Sequence, residues 1–103
     1  MIDVLIRIKR AVIEGQFDFS AKAIDEMEAD GLTPLDVAES VVNAVAIYKR
    51  LRSTSRLRKG RTEYLYVIQS TNLEGLLVYS KGRLVSAAGR DRYYFLVSAK
   101  RAL

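Results

Sequence analysis

The segment Glu63-Tyr64-Leu65-Tyr66-Val67-Ile68-Gln69 decides the fold class of this 103-residue chain. Aromatic and β-branched side chains dominate it, which is typical of a β-strand. Side chains of a strand alternate between its two faces. The predicted strand carries Tyr64, Tyr66 and Ile68 on one face and Leu65, Val67 and Gln69 on the other.

Further strands are predicted on both sides of this segment. Two turns separate the later ones: Lys81-Gly82, because Gly accepts positive φ, and Gly89 to Asp91. Short connections of this kind join antiparallel neighbours. The predicted strands cover residues 45–52, 63–69, 75–80, 83–87 and 92–99. In the last strand, alternation places Tyr94, Leu96, Ser98 and Lys100 on one face and Tyr93, Phe95, Val97 and Arg101 on the other.

The first 44 residues predict three helices instead. The first covers residues 2–14 and stops at Gly15, and the second is capped by Ser20 and ends at Gly31. The third begins with Thr33-Pro34-Leu35-Asp36, which combines an N-cap, a first-turn proline and a first-turn acid. The side chains predicted to face the core are Val4, Leu5, Ile8, Ala11 and Val12, then Ile24 and Met27, then Leu35, Ala38, Val41, Val42 and Val45.

Helices that precede strands indicate an α+β fold. We expect one domain over residues 1–103, with two or three N-terminal helices packed on one face of a mainly antiparallel sheet. The other sheet face would be free for function. In the first helix, Ile2, Ile6 and Ile13 widen the apolar arc, which predicts either deep burial or cover by a partner.

Charge is unevenly distributed along the chain, whose net charge is +5. Residues 14–39 hold eight acids and one cation, Lys22. Residues 49–61 hold seven cations and no acid, so the run is either a solvated surface or, because like charges repel each other, the site of an anionic partner. Cations beside tyrosines suit RNA or DNA, with bases to stack on. The seven cations are Lys49, Arg50, Arg52, Arg56, Arg58, Lys59 and Arg61.

The chain has no histidine and no cysteine, which restricts its chemistry. That excludes His/Cys metal sites and most nucleophilic triads. Absence of cysteine fits the cytoplasm, and no apolar stretch has the length of a membrane span. Carboxylates at positions 25, 26, 28 and 30 are more typical of a solvated helix face than of a cation site.

RNA cleavage without a metal remains open to such a chain. The 2′-hydroxyl attacks the adjacent phosphate, and the protein accepts one proton, donates another and stabilises the phosphorane charge. Lys or Tyr would transfer the protons, and Arg and Lys would hold the phosphate.

Five segments together resemble the RelE-like superfamily, the small RNase toxins of bacterial toxin–antitoxin pairs, and most of all the MqsR type. The resemblance covers almost the whole chain. The segments are Val12-Ile13-Glu14-Gly15-Gln16, Gly31-Leu32-Thr33 to Val42, Ile47-Tyr48-Lys49, Leu77-Val78-Tyr79-Ser80-Lys81 and Val97-Ser98-Ala99-Lys100.

The resemblance implies catalytic roles for Lys49, Tyr79, Lys100 and Gln69 around the scissile phosphate. Tyr66 or Glu63 is an alternative for the place of Gln69. Many relatives carry histidine in the segment 19–23, where this chain has Lys22. The residues expected to bind RNA are Arg50, Arg52, Arg56, Arg58, Lys59, Arg61, Lys81 and Arg101.

The implied function is a metal-independent endoribonuclease, an mRNA interferase toxin of a type II toxin–antitoxin system, with no cofactor. Its implied partners are RNA, free or on the ribosome, and a cognate antitoxin that in MqsR-like pairs has a zinc-binding segment and a DNA-binding domain. Two alternatives remain from the residues alone. One is a non-catalytic RNA- or DNA-binding module that uses residues 49–61, and the other is a domain whose cations bind an acidic protein.

Overall fold

The computed structural model describes residues 2–53, 63–87 and 90–103. Within them, three helices and a short first strand precede the other four strands of a five-stranded sheet with strand order β1-β5-β4-β3-β2. β1 pairs with β5 in parallel, and the other pairs are antiparallel. The predicted α+β fold is therefore confirmed. The elements are α1 (Ile2–Ile13), β1 (Phe17–Phe19), α2 (Ala21–Asp30), α3 (Pro34–Asn43), β2 (Lys49–Arg52), β3 (Tyr64–Thr71), β4 (Leu77–Ala87) and β5 (Arg90–Arg101).

The predicted helix boundaries are confirmed because their caps are local. The Ser20 hydroxyl accepts a hydrogen bond from the backbone N–H of Ala23 at 3.0 Å, and α2 ends at Gly31 with φ of 70°. Thr33 and Asp36 form a capping box at the start of α3. No helix in the described ranges is long and apolar enough to cross a membrane.

The core lies between the helices and one face of the sheet. That face contributes Tyr66, Ile68, Val78, Tyr94 and Leu96, all buried. The helices contribute Leu5, Ile8, Ala11, Val12, Ala23, Met27, Val37, Val41 and Ala44. The predicted inward face of α1 is thus confirmed, as is Met27 in α2.

The predicted inward face of α3 was correct at Val41, which is fully buried, and at Ala38, which packs partly buried against the core, but wrong at Leu35 and Val42. Leu35 is 66% exposed and Val42 38%, whereas Val37, Ser40 and Val41 are fully buried. Ser40 interrupts the apolar pattern of the buried face, and its hydroxyl donates to the Val37 carbonyl at 2.7 Å. The core therefore accepts a serine without an unpaired polar group.

Two further corrections concern burial at Ile24 and Val45. Ile24 is 40% exposed because Ala23 and Met27 define the inner face of α2. Val45 is 96% exposed and lies before β2, which begins only at Lys49. The predicted strand over residues 45–52 is therefore a four-residue strand.

The turn predicted at Lys81-Gly82 does not form, because β4 runs without interruption from Leu77 to Ala87. Gly82 has no positive φ. Glycine is needed at this position because a side chain would have no room. A Cβ on Gly82 would lie 2.6 Å from Cζ of Tyr94, which is fully buried. The turn predicted at Gly89 to Asp91 begins outside the described residues, and Arg90 already belongs to β5.

A β-bulge in β5 changes which residues of that strand face the helices. Gly82 pairs with Leu96, but the preceding Lys81 pairs with Ser98, so Val97 is one extra residue in β5. Before the bulge, Leu96 packs in the core, and after it Ala99 does so. The expectation that Lys100 shares a face with Tyr94 and Leu96 was therefore wrong.

The helix α2 bonds to β5 along the bulge and beyond it. The Ser20 hydroxyl donates to the Val97 carbonyl at 3.1 Å. Glu26 accepts from the Ser98 hydroxyl at 2.7 Å and from the Ala99 backbone N–H at 3.2 Å. Asp30 accepts from the Arg101 backbone N–H at 2.8 Å. Two members of the acidic cluster in α2 thus bind the strand, which the expectation of a solvated helix face did not include.

The helix α3 fixes the β3–β4 connection through Asn72, which is 4% exposed. The Asn72 amide donates to Asp36 at 3.0 Å, and its carbonyl oxygen accepts from the backbone N–H groups of Glu74 and Leu76. Glu39 accepts from the backbone N–H of Leu73 at 3.1 Å. These bonds hold the ends of β3 and β4 against the helical layer.

The Gly82→Ala variant should lose about 1–3 kcal/mol of unfolding free energy, the usual cost of overpacking a core. The added Cβ would collide with the Tyr94 ring and lie 2.9 Å from the backbone oxygen of Phe95. Urea unfolding followed by circular dichroism measures the loss, and Glu28→Ala, at an exposed position in α2, is the control. Stability equal to that of the parent would contradict the packing described for Gly82.

Asp36 should make the stability of the fold depend on pH below about 4. Hydrogen bonds from the Thr33 backbone and then from Asn72 lower the pKa of Asp36 from its ordinary value of 3.8. A carboxyl with a lowered folded-state pKa stabilises the fold above its unfolded pKa, and that stabilisation disappears as the pH falls through the folded value.

The Asp36→Asn variant should therefore be less stable than the parent by about 1 kcal/mol at pH 7, the usual value of a cap. The difference should shrink as the pH falls from 4 to 2.5. Urea unfolding at each pH measures it, and the exposed Glu28→Gln change is the control. A difference that stays constant with pH would show that the Asp36 charge is not involved.

Candidate functional site

Three of the predicted catalytic residues form one row across the sheet. Gln69 of β3 pairs with Tyr79 of β4, and Tyr79 pairs with Lys100 of β5. All three alternate with core residues, so they lie on the face turned away from the helices, here called the outer face. Directly paired residues on one face have Cβ atoms about 5 Å apart. The row therefore joins an amide, a phenol and an ammonium group.

Lys49 and Lys81 form the next row of the outer face. Both pair with Val67, which lies two residues before Gln69 and is fully buried. The two rows are thus about 7 Å apart along the strands. Lys49 and Lys100 lie three strand spacings from each other, about 15 Å across the sheet, with Lys81 and Tyr79 between them.

Lys100 lies over the aromatic ring of Tyr79. Its Nζ atom is 5.3 Å from the ring centroid, within range of a cation–π contact. Tyr79 is half-buried and Lys100 is exposed, so both polar groups can meet a solute. The outer face therefore presents ammonium groups, a phenolic hydroxyl and an amide, which are the donors that a phosphate diester needs.

Arg83 is a further cation of the outer face that the sequence analysis did not assign to the site. It lies two residues after Lys81 on β4, and its guanidinium is 3.5 Å from a Glu63 carboxylate oxygen and 5.4 Å from the centroid of the Phe95 ring. Because a turn was predicted at Lys81-Gly82, Arg83 was not expected to lie on the same strand and face as Lys81. A continuous strand would have placed Lys81 and Arg83 on one face by simple alternation.

Other predicted RNA-binding residues lie on the opposite side of the sheet. Arg50 and Arg52 pair with Tyr66 and Tyr64, and the guanidinium of Arg50 lies 4.2 Å from the centroid of the Tyr64 ring. Arg101 pairs with the core residue Val78. The structure therefore does not bring these three arginines together with Lys49 and Lys100. The predicted residues Arg56, Arg58, Lys59 and Arg61 lie outside the described residues.

Tyr66 and Glu63, the alternatives to Gln69 at the catalytic position, lie elsewhere in the fold. Tyr66 is 9% exposed and belongs to the core, so it does not reach the outer face. Glu63 lies just before β3, beside Arg83. Gln69 alone of the three stands next to Tyr79. Lys22, which replaces a family histidine, is exposed in α2, outside the sheet.

Tyr94 lies below the site but takes no part in it. Burial, with a smaller contribution from Tyr66, raises the pKa of Tyr94 above its ordinary value. Its hydroxyl points to the Tyr66 carbonyl at 3.5 Å, on the core side of the sheet. Tyr94 therefore remains neutral and serves as packing.

No group of carboxylates that could hold a metal ion occurs in the described parts of the chain. Among known proteins, no family model and no curated relative matches the sequence. The resemblance to RelE-like toxins thus stays an expectation.

The contact between Lys100 and Tyr79 should appear as a coupling of about 0.5–1 kcal/mol in a double-mutant cycle of unfolding free energies. Lys100→Met removes the charge and keeps the stem, and Tyr79→Leu removes the ring. The control cycle combines Lys100→Met with Tyr64→Leu, on the other face, and should give no coupling. Equal couplings in the two cycles would contradict the placement of Lys100.

Proposed function

We propose that the protein is a metal-independent endoribonuclease that cleaves cytoplasmic RNA, as the toxin of a toxin–antitoxin pair does. The observation that carries the proposal is the row Gln69–Tyr79–Lys100 with Lys49 and Lys81 beside it. Four residues implied by the family resemblance, from four different strands, meet on the one face that the helices leave. Lys49, Tyr79 and Lys100 are widely spaced in the sequence, yet all three lie on this face.

The charges of the domain support RNA as the substrate. The outer face carries Lys49, Lys81, Arg83 and Lys100, whereas the helices on the other side carry most of the acids. A polyanion is therefore attracted to the outer face. Exposed lysines also bind the non-bridging oxygens of a phosphate as point charges.

The reaction needs two proton transfers at one phosphate. The 2′-hydroxyl attacks phosphorus, and its proton passes to a neutral lysine amine or to a tyrosinate. The 5′-oxygen leaves with a proton from a second side chain in its acid form, a lysine ammonium or a tyrosine phenol. Lys49, Tyr79 and Lys100 are the groups proposed for these transfers, and the remaining cations stabilise the phosphorane. The products are a 2′,3′-cyclic phosphate and a 5′-hydroxyl end.

We also propose an antitoxin-like partner on the helical side. Ile6 and Ile13 of α1 are 49% and 69% exposed, and Leu73 is 78% exposed. A mostly apolar cleft of about 380 Å³ is lined by Ile13 and Leu73, together with Val12 and Val42. A protein that covered these side chains would bury apolar surface that the fold leaves in water.

Induction of the chain alone in bacteria should arrest growth and create discrete new RNA 5′ ends that carry hydroxyl groups. Lys49→Ala, Lys100→Ala and Tyr79→Phe should each lower the cleavage rate about a hundredfold or more, the usual contribution of a proton-transfer group. Sequencing of 5′ ends after enzymatic phosphorylation measures cleavage. Lys22→Ala and Tyr64→Phe, outside the outer face, are the matched controls.

Three results would distinguish the alternatives. Undiminished toxicity of both Lys49→Ala and Tyr79→Phe would remove the site assignment. Salt-sensitive RNA binding by the purified protein without any cleavage, also on translating ribosomes, would favour a non-catalytic binding module. If the chain does not bind RNA, and removal of the cations in residues 49–61 weakens its binding to a protein partner, a domain that binds an acidic protein is favoured.

A further inference from the structure

A cleft of about 410 Å³ opens beside the catalytic row, where β3 runs past the end of β2. Gln69 lines it together with Tyr48 and Asn43. The volume falls within the range of about 300–1,000 Å³ that small-ligand sites occupy. The cleft therefore lies next to the proposed phosphate site and has the size to receive a flat group attached to that phosphate.

The floor of the cleft is a strand edge that β2 does not cover. In the described chain, β2 pairs with β3 only between Tyr64 and Val67. The Val67 carbonyl accepts from the Tyr48 backbone N–H at 2.8 Å, and the Thr71 carbonyl accepts from the Asn43 side chain at 3.1 Å. Carbonyls two residues apart in a strand point to the same side. The N–H and C=O of Gln69 therefore point to this edge, between the two bonded carbonyls.

Tyr48 provides an aromatic surface at the same place. Its side chain is 63% exposed, although its backbone is fixed by the bond to Val67. Lys49, the next residue, turns to the outer face with the phosphate-binding groups. A phenol ring on a fixed backbone is a stacking platform of the kind used for single-stranded nucleic acids.

We infer that this cleft is a nucleobase subsite, which rests on the proposed function because it assumes RNA on the outer face. A base next to the scissile phosphate stacks on Tyr48, and its hydrogen-bonding edge meets the backbone N–H and C=O of Gln69. One donor and one acceptor in fixed positions favour bases that offer the complementary pair. The cleft thus selects the nucleotide at which the chain binds and cuts.

The test measures binding without cleavage. The probe is a fluorescent single-stranded hexanucleotide of 2′-O-methyl RNA, which lacks the attacking hydroxyl, and a second probe set has one abasic position in turn. Fluorescence anisotropy gives Kd for the parent chain, Tyr48→Ala, Tyr48→Phe and Leu35→Ala. Leu35 is an exposed apolar residue of α3, 66% exposed, and is the matched control. Circular dichroism confirms that each variant is folded.

Tyr48→Ala should weaken binding of the intact probe about tenfold, a typical effect of losing one stacked base. Tyr48→Phe should recover most of that loss, because the ring remains. One abasic probe should bind the parent as weakly as the intact probe binds Tyr48→Ala. The same abasic position should then make no further difference to Tyr48→Ala.

The outcomes separate this inference from the proposed function. If the parent binds the probe and cuts RNA, but Tyr48→Ala behaves as Leu35→Ala does, the subsite is wrong and the nuclease stands. If binding depends on Tyr48 but no RNA is cut, the subsite stands and the nuclease fails. If the parent neither binds the probe nor cuts RNA, both are overturned.

Discussion

One extra residue in β5 determines where Lys100 lies. Without the bulge at Val97, regular alternation would direct Lys100 into the core beside Leu96, where an ammonium group without a partner is costly. With the bulge, Ala99 fills the core position and Lys100 joins Tyr79 on the outer face. The Ser20 hydroxyl satisfies the Val97 carbonyl, so the same side chain caps α2 and stabilises the bulge.

The position of the site also depends on α3, although no residue of α3 belongs to the catalytic row. Asp36 and Glu39 bind the β3–β4 connection, and Asn43 binds the end of β3. Gln69 and Tyr79 lie on the two strands that this connection joins. The bonds from α3 therefore hold the end of the ladder in which Gln69 pairs with Tyr79.

The features that the sequence predicted well are those set by neighbouring residues. Ser20, Thr33 and Gly31 act within one helical turn, so the helix ends were correct. In α3 the prediction was correct at Val41 but wrong at Leu35 and Ser40, because Leu35 is exposed and Ser40 is buried, which depends on what each face contacts in the folded chain.

In the sheet, the glycine at position 82 and the alternation of side chains in β5 were also insufficient to predict the structure, because both depend on contacts with distant residues. Gly82 is equally compatible with a turn and with a strand pressed against a ring, and only the position of Tyr94 decides between them. The pattern of side chains over residues 93–101 gives no sign of the bulge at Val97. The grouping of Lys49, Gln69, Tyr79 and Lys100 came from family resemblance, whereas the opposite faces of Lys49 and Arg50 follow from alternation alone.

Glu26 and Asp30 have a consequence for assembly. Their carboxylates occupy the backbone N–H groups of Ala99 and Arg101 that a further strand would otherwise bind. The four-residue spacing in α2 spans about 6 Å, close to the two-residue spacing of about 7 Å in β5. The helix thus takes the place of a neighbouring strand at this edge, and its negative charges discourage the edge-to-edge pairing that leads to aggregation.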